Sequence, residues 1–363
     1  MSDWQIFLGT PDKPHDGISQ LPEPPGWRKF GRRFSEDSFD FVTLPQTQDE
    51  LTADKGSTFR IPQSSTDSTS QPSIVDVVNA ALYLRRPLMV TGRPGTGKTS
   101  LAYAIAHELK LGPVLLWPIT ARATLKDGLY RYDAISRLQD AQVAANSSSD
   151  KNGGNKVDAA FLNENVGQYV QLGPVGTAFL PTKRPRVLLI DEVDKSDINL
   201  PNDLLNLFEE GEYEIPELSR LKREENAPDQ KTTVRTFDRN GRATITNGFV
   251  RCYEFPLILL TSNGERDFPP AFLRRCLRLN IADPDEEALI EIVKAHFKDR
   301  LDVLQKAESV IQDFIKRREK GSVASDQLLN AIYLISGNKS PNPDEQDKLI
   351  NLLLKSLTSG ADQ

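Results

Sequence analysis

The chain has only two cysteines, Cys252 and Cys276, among its 363 residues. They stand far apart, which argues against a disulfide-stapled fold and for a reducing compartment. Histidine is equally scarce. His15, His107 and His296 have no metal-ligand spacing, and no Ser-His-Asp or Cys-His arrangement offers a nucleophile. No apolar run approaches the length of a membrane helix. The N-terminus lacks the apolar core of a signal peptide, so a cytoplasmic location is expected. Neither sign of charge dominates: 45 basic and 51 acidic residues leave a formal −6. That mild acidity gives no footprint for nucleic acid.

What the chain does have is a phosphate loop. Residues 92–99 read Gly-Arg-Pro-Gly-Thr-Gly-Lys-Thr, a complete G-x-x-x-x-G-K-[ST] pattern. A short apolar strand, Leu88 to Thr91, precedes it. A segment with helical spacing follows, from Ser100 to Leu111, with Leu101, Ile105 and Leu109 on one face. Glycines let the backbone wrap a polyphosphate with its N–H groups turned inward. The helix N-terminus adds partial positive charge. Gly92, Pro94, Gly95, Thr96, Gly97, Lys98, Thr99 and Ser100 are therefore the candidate nucleotide contacts. Lys98 suits the outer phosphates, and Thr99 offers a hydroxyl to Mg²⁺.

Val187-Leu188-Leu189-Ile190 reads as a strand buried on both faces, and it ends in Asp191-Glu192. An Asp in that place can hold Mg²⁺, and the adjacent Glu can deprotonate an attacking water. A third apolar strand, Leu257 to Leu260, ends in Thr261-Ser262-Asn263. In an open parallel sheet, Asn263 would lie beside the other two strand ends, where ligands bind. Asn263 is the candidate holder of that water; taken alone it would be a turn residue.

These motifs, in this order and followed by Leu273-Arg274-Arg275-Cys276, resemble the AAA+ ATPases. The phrases "NAALYLRRPLMVTGRPGTGKTSLAYA", "GLYRYDAISRLQDA", "LLIDEVDKSDINLPNDLLNLFEEGEYEIPEL" and "LTSNGERDFPPAFLRRC" resemble the MoxR branch. Within it they look like the ATPases encoded beside von Willebrand factor A proteins and effectors in bacterial conflict-type systems. The resemblance spans roughly residues 73–340. It implies an α/β fold, a P-loop parallel sheet flanked by helices, with a C-terminal helical lid. It implies ATP and Mg²⁺ as cofactors and a homo-oligomeric ring, a hexamer. It also implies a protein partner to remodel or switch, such as a von Willebrand factor A protein or an effector. Arg275 aligns with the arginine finger that reaches a neighbouring subunit's γ-phosphate, with Arg274 as second choice. Many members carry a lid arginine near Ser325-Asp326-Gln327. None stands here, which leaves Gln327, Arg317, Arg318 or another subunit to fill the role. That departure keeps open a slow-hydrolysing, nucleotide-gated scaffold as the alternative.

The expected organisation has four parts: a disordered or docking arm at 1–72, a nucleotide-binding domain at 73–282, a lid at 283–357 and a polar tail at 358–363. The arm is rich in Pro, Ser, Asp and Thr and is punctuated by Trp4, Phe7, Trp27 and Phe30. Residues 144–156 read as a low-complexity loop. The 93 positions from Lys98 to Asp191 exceed one strand–helix pair, so an insert containing Tyr130, Tyr132 and residues 171–180 is expected. Asn240-Gly241 signals a hairpin between Thr232–Phe237 and Ala243–Thr246. The resemblance would turn that hairpin toward a central pore; the plain alternative is a surface ribbon. Lys98→Ala and Thr99→Ala are expected to weaken ATP·Mg²⁺ binding in isothermal titration while the domain stays folded.

Overall fold

The computed structural model describes residues 4–45, 50–61, 72–148, 166–221, 229–297, 300–320, 323–336 and 341–354. Among them are eleven strands. The first six are β1 (Leu88–Thr91), β2 (Leu115–Pro118), β3 (Tyr130–Tyr132), β4 (Val170–Leu172), β5 (Val187–Asp191) and β6 (Glu212–Glu214). Then come β7 (Lys231–Arg235), β8 (Arg242–Thr246), β9 (Phe249–Arg251), β10 (Leu257–Ser262) and β11 (Leu277–Asn280). The central sheet has the order β11-β1-β10-β5-β2, and every pairing in it is parallel.

Strand alternation divides the apolar interior in two. Met89, Leu188, Ile190, Ile258 and Leu260 point to one face, while Leu88, Val90, Val187, Leu189, Leu257 and Leu259 point to the other. The helices Ile74–Leu84 and Lys98–Glu108 cover the second face. Ser73 caps the first by accepting from the Asp76 N–H, and Asp76 reciprocates. The phosphate-loop helix begins at Lys98, two residues before the apolar spacing starts, because Gly97 caps it. The helix Leu200–Glu210 stops where Gly211 takes φ +70°.

The first face supports a second sheet, in the order β3-β4-β7-β8-β9-β6. Tyr130 and Tyr132 lie on its edge strand, so the expected insert contributes to it. The β7–β8 hairpin lies between β4 and β9 in this sheet, burying Thr232, Val234, Ala243 and Ile245 and exposing the alternate residues Lys231, Thr233 and Arg235. Its loop is closed around Asn240, at φ +60°. Arg186, buried, anchors the loop with a bidentate pair to Asp238, at 2.9 and 2.8 Å.

The N-terminal segment docks on its own chain. Residues 4–45 lie along this chain's own core. Ile6, Phe7 and Ile18 join one apolar cluster and Phe30 the other. With little regular structure of its own, the segment takes its hydrogen bonds from buried side chains. Asn79 accepts from the Ile6 and Phe7 N–H groups, at 2.7 and 2.9 Å, and its amide donates to the Phe7 carbonyl, at 2.7 Å. Glu108 accepts from the Leu8 and Thr10 N–H groups. Trp27 remains exposed, at 76%.

Four helices, Glu286–Phe297, Leu301–Lys320, Ser325–Ser336 and Pro343–Leu353, surround a separate core of Leu289, Val293, Phe314, Leu328 and Ile332. Residues 144–148, expected in a loop, end the helix Ala134–Ser148. The rest of that loop and the tail at 358–363 lie outside the described residues. No described helix is long and apolar enough to cross a membrane. Cys252 and Cys276 are both buried and free, and burial pushes the Cys276 thiol up to about 12.

Asn79→Ala would leave two buried N–H groups unpaired. It is expected to cost about 2–4 kcal/mol in urea unfolding, the cost of orphaning buried donors. It should also expose residues 4–10 to limited proteolysis.

Candidate functional site

The parallel sheet brings three strand ends together. Thr91 of β1 pairs with Ser262 of β10, and Leu260 pairs with Ile190 of β5. The residues that follow β1, β5 and β10 therefore emerge side by side. They line a cavity of about 400 Å³.

Its floor is the phosphate loop, from Pro94 to Ser100. Gly95 and Gly97 adopt φ +80° and +88°, the left-handed region that favours glycine. A Cβ on Gly95 would stand 2.6 Å from the Ser325 nitrogen, so the lid rests directly on the loop. Lys98 is buried. Its ammonium donates to the Gly92 and Arg93 carbonyls, at 2.7 and 2.8 Å. Desolvation lowers its pKa, opposed by the charges of Asp194, Asp191 and Glu192.

The acidic wall is tied by one hydroxyl. Thr261 donates to Asp191 Oδ1 at 2.7 Å and accepts from the Glu192 N–H at 2.8 Å. Thr99 donates to the same carboxylate oxygen at 2.9 Å. Two hard oxygen ligands from different elements thus converge, a donor set suited to Mg²⁺ completed by water and phosphate. Glu192 takes φ +57°. A non-glycine residue held there stores about 1–3 kcal/mol of strain. Its carboxylate meets Lys195 Nζ at 2.5 Å, with Asn263 Nδ2 at 3.5 Å. Asp194 is buried, and its Oδ2 accepts from the Asn263 N–H, the Ser262 hydroxyl and the Glu265 N–H, at 2.8, 3.0 and 3.2 Å. It fixes the loop that presents Asn263.

This arrangement has a counterpart in sequence. The profile of the AAA domain, dynein-related subfamily, matches residues 87–276, just over half of the chain. The chain belongs to this family. Two solved structures are similar in fold. PCH-2 of C. elegans is 15% identical with a TM-score of 0.37, over 83% of this chain and 71% of that one. Domain III of the Thermotoga maritima replication initiation protein DnaA is 15% identical with a TM-score of 0.36, over 74% and 85%. Likenesses this distant carry no argument about activity. No curated protein matches.

The AAA domain brings Lys98, Thr99, Asp191, Glu192 and Asn263 to one cavity, with Gly92 beneath the Lys98 ammonium. Arg274 and Arg275 do not line it. Arg274 is exposed, and Arg275 bonds Glu209 and the Ala271 carbonyl. Gln327 does not line it either. Its side-chain Oε1 accepts from the Ala324 N–H at 2.8 Å, at the first turn of its helix. Ser325 and Asp326 face the cavity instead. Arg317 is spent on Asp313 and Asn351, and Arg318 on the Pro284 carbonyl. No lid arginine therefore lines this cavity among the described residues.

The sequence reading missed one wall. Lys55, Thr58, Phe59 and Arg60 line the cavity from within the supposed arm. Phe59 is buried against Gly97. Nothing in their spacing marks them, because a tertiary docking brings them there. Asp194 did have a signal, as a third acid two residues beyond Glu192.

Thr261→Val keeps the shape but removes the hydroxyl that joins β5 to β10. A cost of about 1–3 kcal/mol in chemical unfolding is expected, from the stranded Glu192 N–H. Thr261→Ser should recover most of it.

Proposed function

We propose that this AAA domain is a Mg²⁺-dependent ATPase whose hydrolysis drives or switches a protein partner. The observation that carries the reading is the convergence of Lys98, Thr99, Asp191, Glu192 and Asn263 around one cavity at the strand ends. The loop from Gly92 to Ser100 holds the polyphosphate through backbone N–H groups. Lys98 leaves the Gly92 and Arg93 carbonyls for the outer phosphates. Thr99 and Asp191 hold Mg²⁺, which neutralises phosphate charge when bound. Glu192 takes the proton from an attacking water, and Asn263 orients that water. Residues 73–282 form the nucleotide-binding domain and 283–357 the lid. Arg275 lies outside its own cavity, which favours action on a neighbour's γ-phosphate in a ring, here taken as a hexamer. The partner is a von Willebrand factor A protein or an effector of a bacterial defence-type system, a choice that rests on sequence resemblance alone.

A second reading is a nucleotide-gated scaffold that hydrolyses slowly. The Lys195–Glu192 ion pair favours it, because the carboxylate must leave that ammonium before it can turn to an attacking water. So does the absence of a lid arginine from the cavity among the described residues.

One set of variants tests both. Glu192→Gln should bind ATP yet hydrolyse it at least ~100-fold more slowly, the usual contribution of a general base. Arg275→Ala should also bind and hydrolyse poorly. Mixing the two proteins should restore part of the activity, since some interfaces then combine an intact Glu192 with an intact Arg275. Near-normal turnover by Glu192→Gln sinks the assignment of Glu192 as the general base. Very slow turnover by the parent, even with partner present, selects the scaffold.

A further inference from the structure

Glu209 sits near the end of the helix Leu200–Glu210, between two arginines. Its Oε1 accepts from Arg275 Nε at 2.7 Å, and its Oε2 lies 3.6 Å from Arg28 Nη1. The arginines differ in freedom. Arg28 is buried and committed: it donates to the Arg85 carbonyl at 3.2 and 2.7 Å and to the Phe208 carbonyl at 2.9 Å. It also lies over the Phe30 and Phe255 rings, at 4.8 and 5.0 Å. Arg275 is partly exposed, with one further bond, to Ala271. One carboxylate therefore has a fixed partner and a releasable one.

We propose that Glu209 is a latch for Arg275. It holds the guanidinium against its own subunit and releases it when a neighbouring copy presents phosphate. This rests on the reading that Arg275 acts in trans. Release leaves no charge stranded, because Arg28 stays beside Glu209 as counter-ion. The pair that must break is half-solvated, so it opposes assembly of the site only weakly. Arg28 belongs to the N-terminal segment, whose seating on the core thereby bears on how Glu209 is shared. The latch makes Glu209 a positioning residue for the finger.

The test is ATPase activity against protein concentration for the parent, Glu209→Gln and Glu209→Asp. Removing the latch favours the state with Arg275 across the interface. For Glu209→Gln, the concentration giving half-maximal specific activity should fall about two- to fivefold, the reach of a half-exposed ion pair. Glu209→Asp keeps a charge for Arg28 but shortens the reach to Arg275, so a smaller shift in the same direction is expected. It also serves if Glu209→Gln proves unstable in a thermal melt. An unchanged or raised midpoint in both variants overturns the latch. A lowered plateau at saturating protein overturns it too, since Glu209 would then orient the finger for action. Arg275→Ala run in parallel separates the two ideas: full activity in that variant refutes the trans finger itself.

Discussion

Asp191 Oδ1 receives two hydroxyls, from Thr99 on the phosphate-loop helix and from Thr261 at the end of β10. Three separate chain segments thus meet on one oxygen. The meeting is possible only because β1, β5 and β10 run parallel and in register. Thr261 also accepts the Glu192 N–H, which holds that residue in a left-handed conformation. If β10 slipped by one residue, Thr261 would turn to the opposite face and the contact would vanish. The geometry of the cavity therefore depends on sheet register before it depends on any loop.

The rest of the molecule supports that edge from two sides. Behind it, the N-terminal segment is strapped down by Asn79 and Glu108, and it supplies the wall that contains Phe59. In front, the lid closes on Gly95, where only glycine leaves room for Ser325. The N-terminal strap is built from polar side chains buried with their partners, Asn79 and Glu108, which makes it specific in position. Nucleotide between lid and loop would change the contacts of both. The cavity joins three walls that have no sequence proximity.

Much was legible from residues alone. The phosphate loop, the two acids after β5 and the Asn after β10 carry their own signals, because glycine pattern and buried-strand runs are local properties. The second sheet was not. β3, β4, β6 and β9 are three residues each, too short for a period of two to declare itself. Composition left the arm between disorder and docking: its apolar residues are sparse, yet Phe7 and Ile18 complete a core made elsewhere.

The sequence by itself determined the fold class and the identity of the phosphate-loop and acidic residues, since backbone freedom and hydrophobic periodicity act over a few neighbours. Only the tertiary structure decided what those residues meet. It set Lys195 against Glu192, Asp194 beneath Asn263, Glu209 between Arg28 and Arg275, and Phe59 beside Gly97. Except for Lys195 and Glu192, these partners lie tens to hundreds of positions apart. Their encounter follows from how strands order and how helices cover them, and no local pattern encodes it.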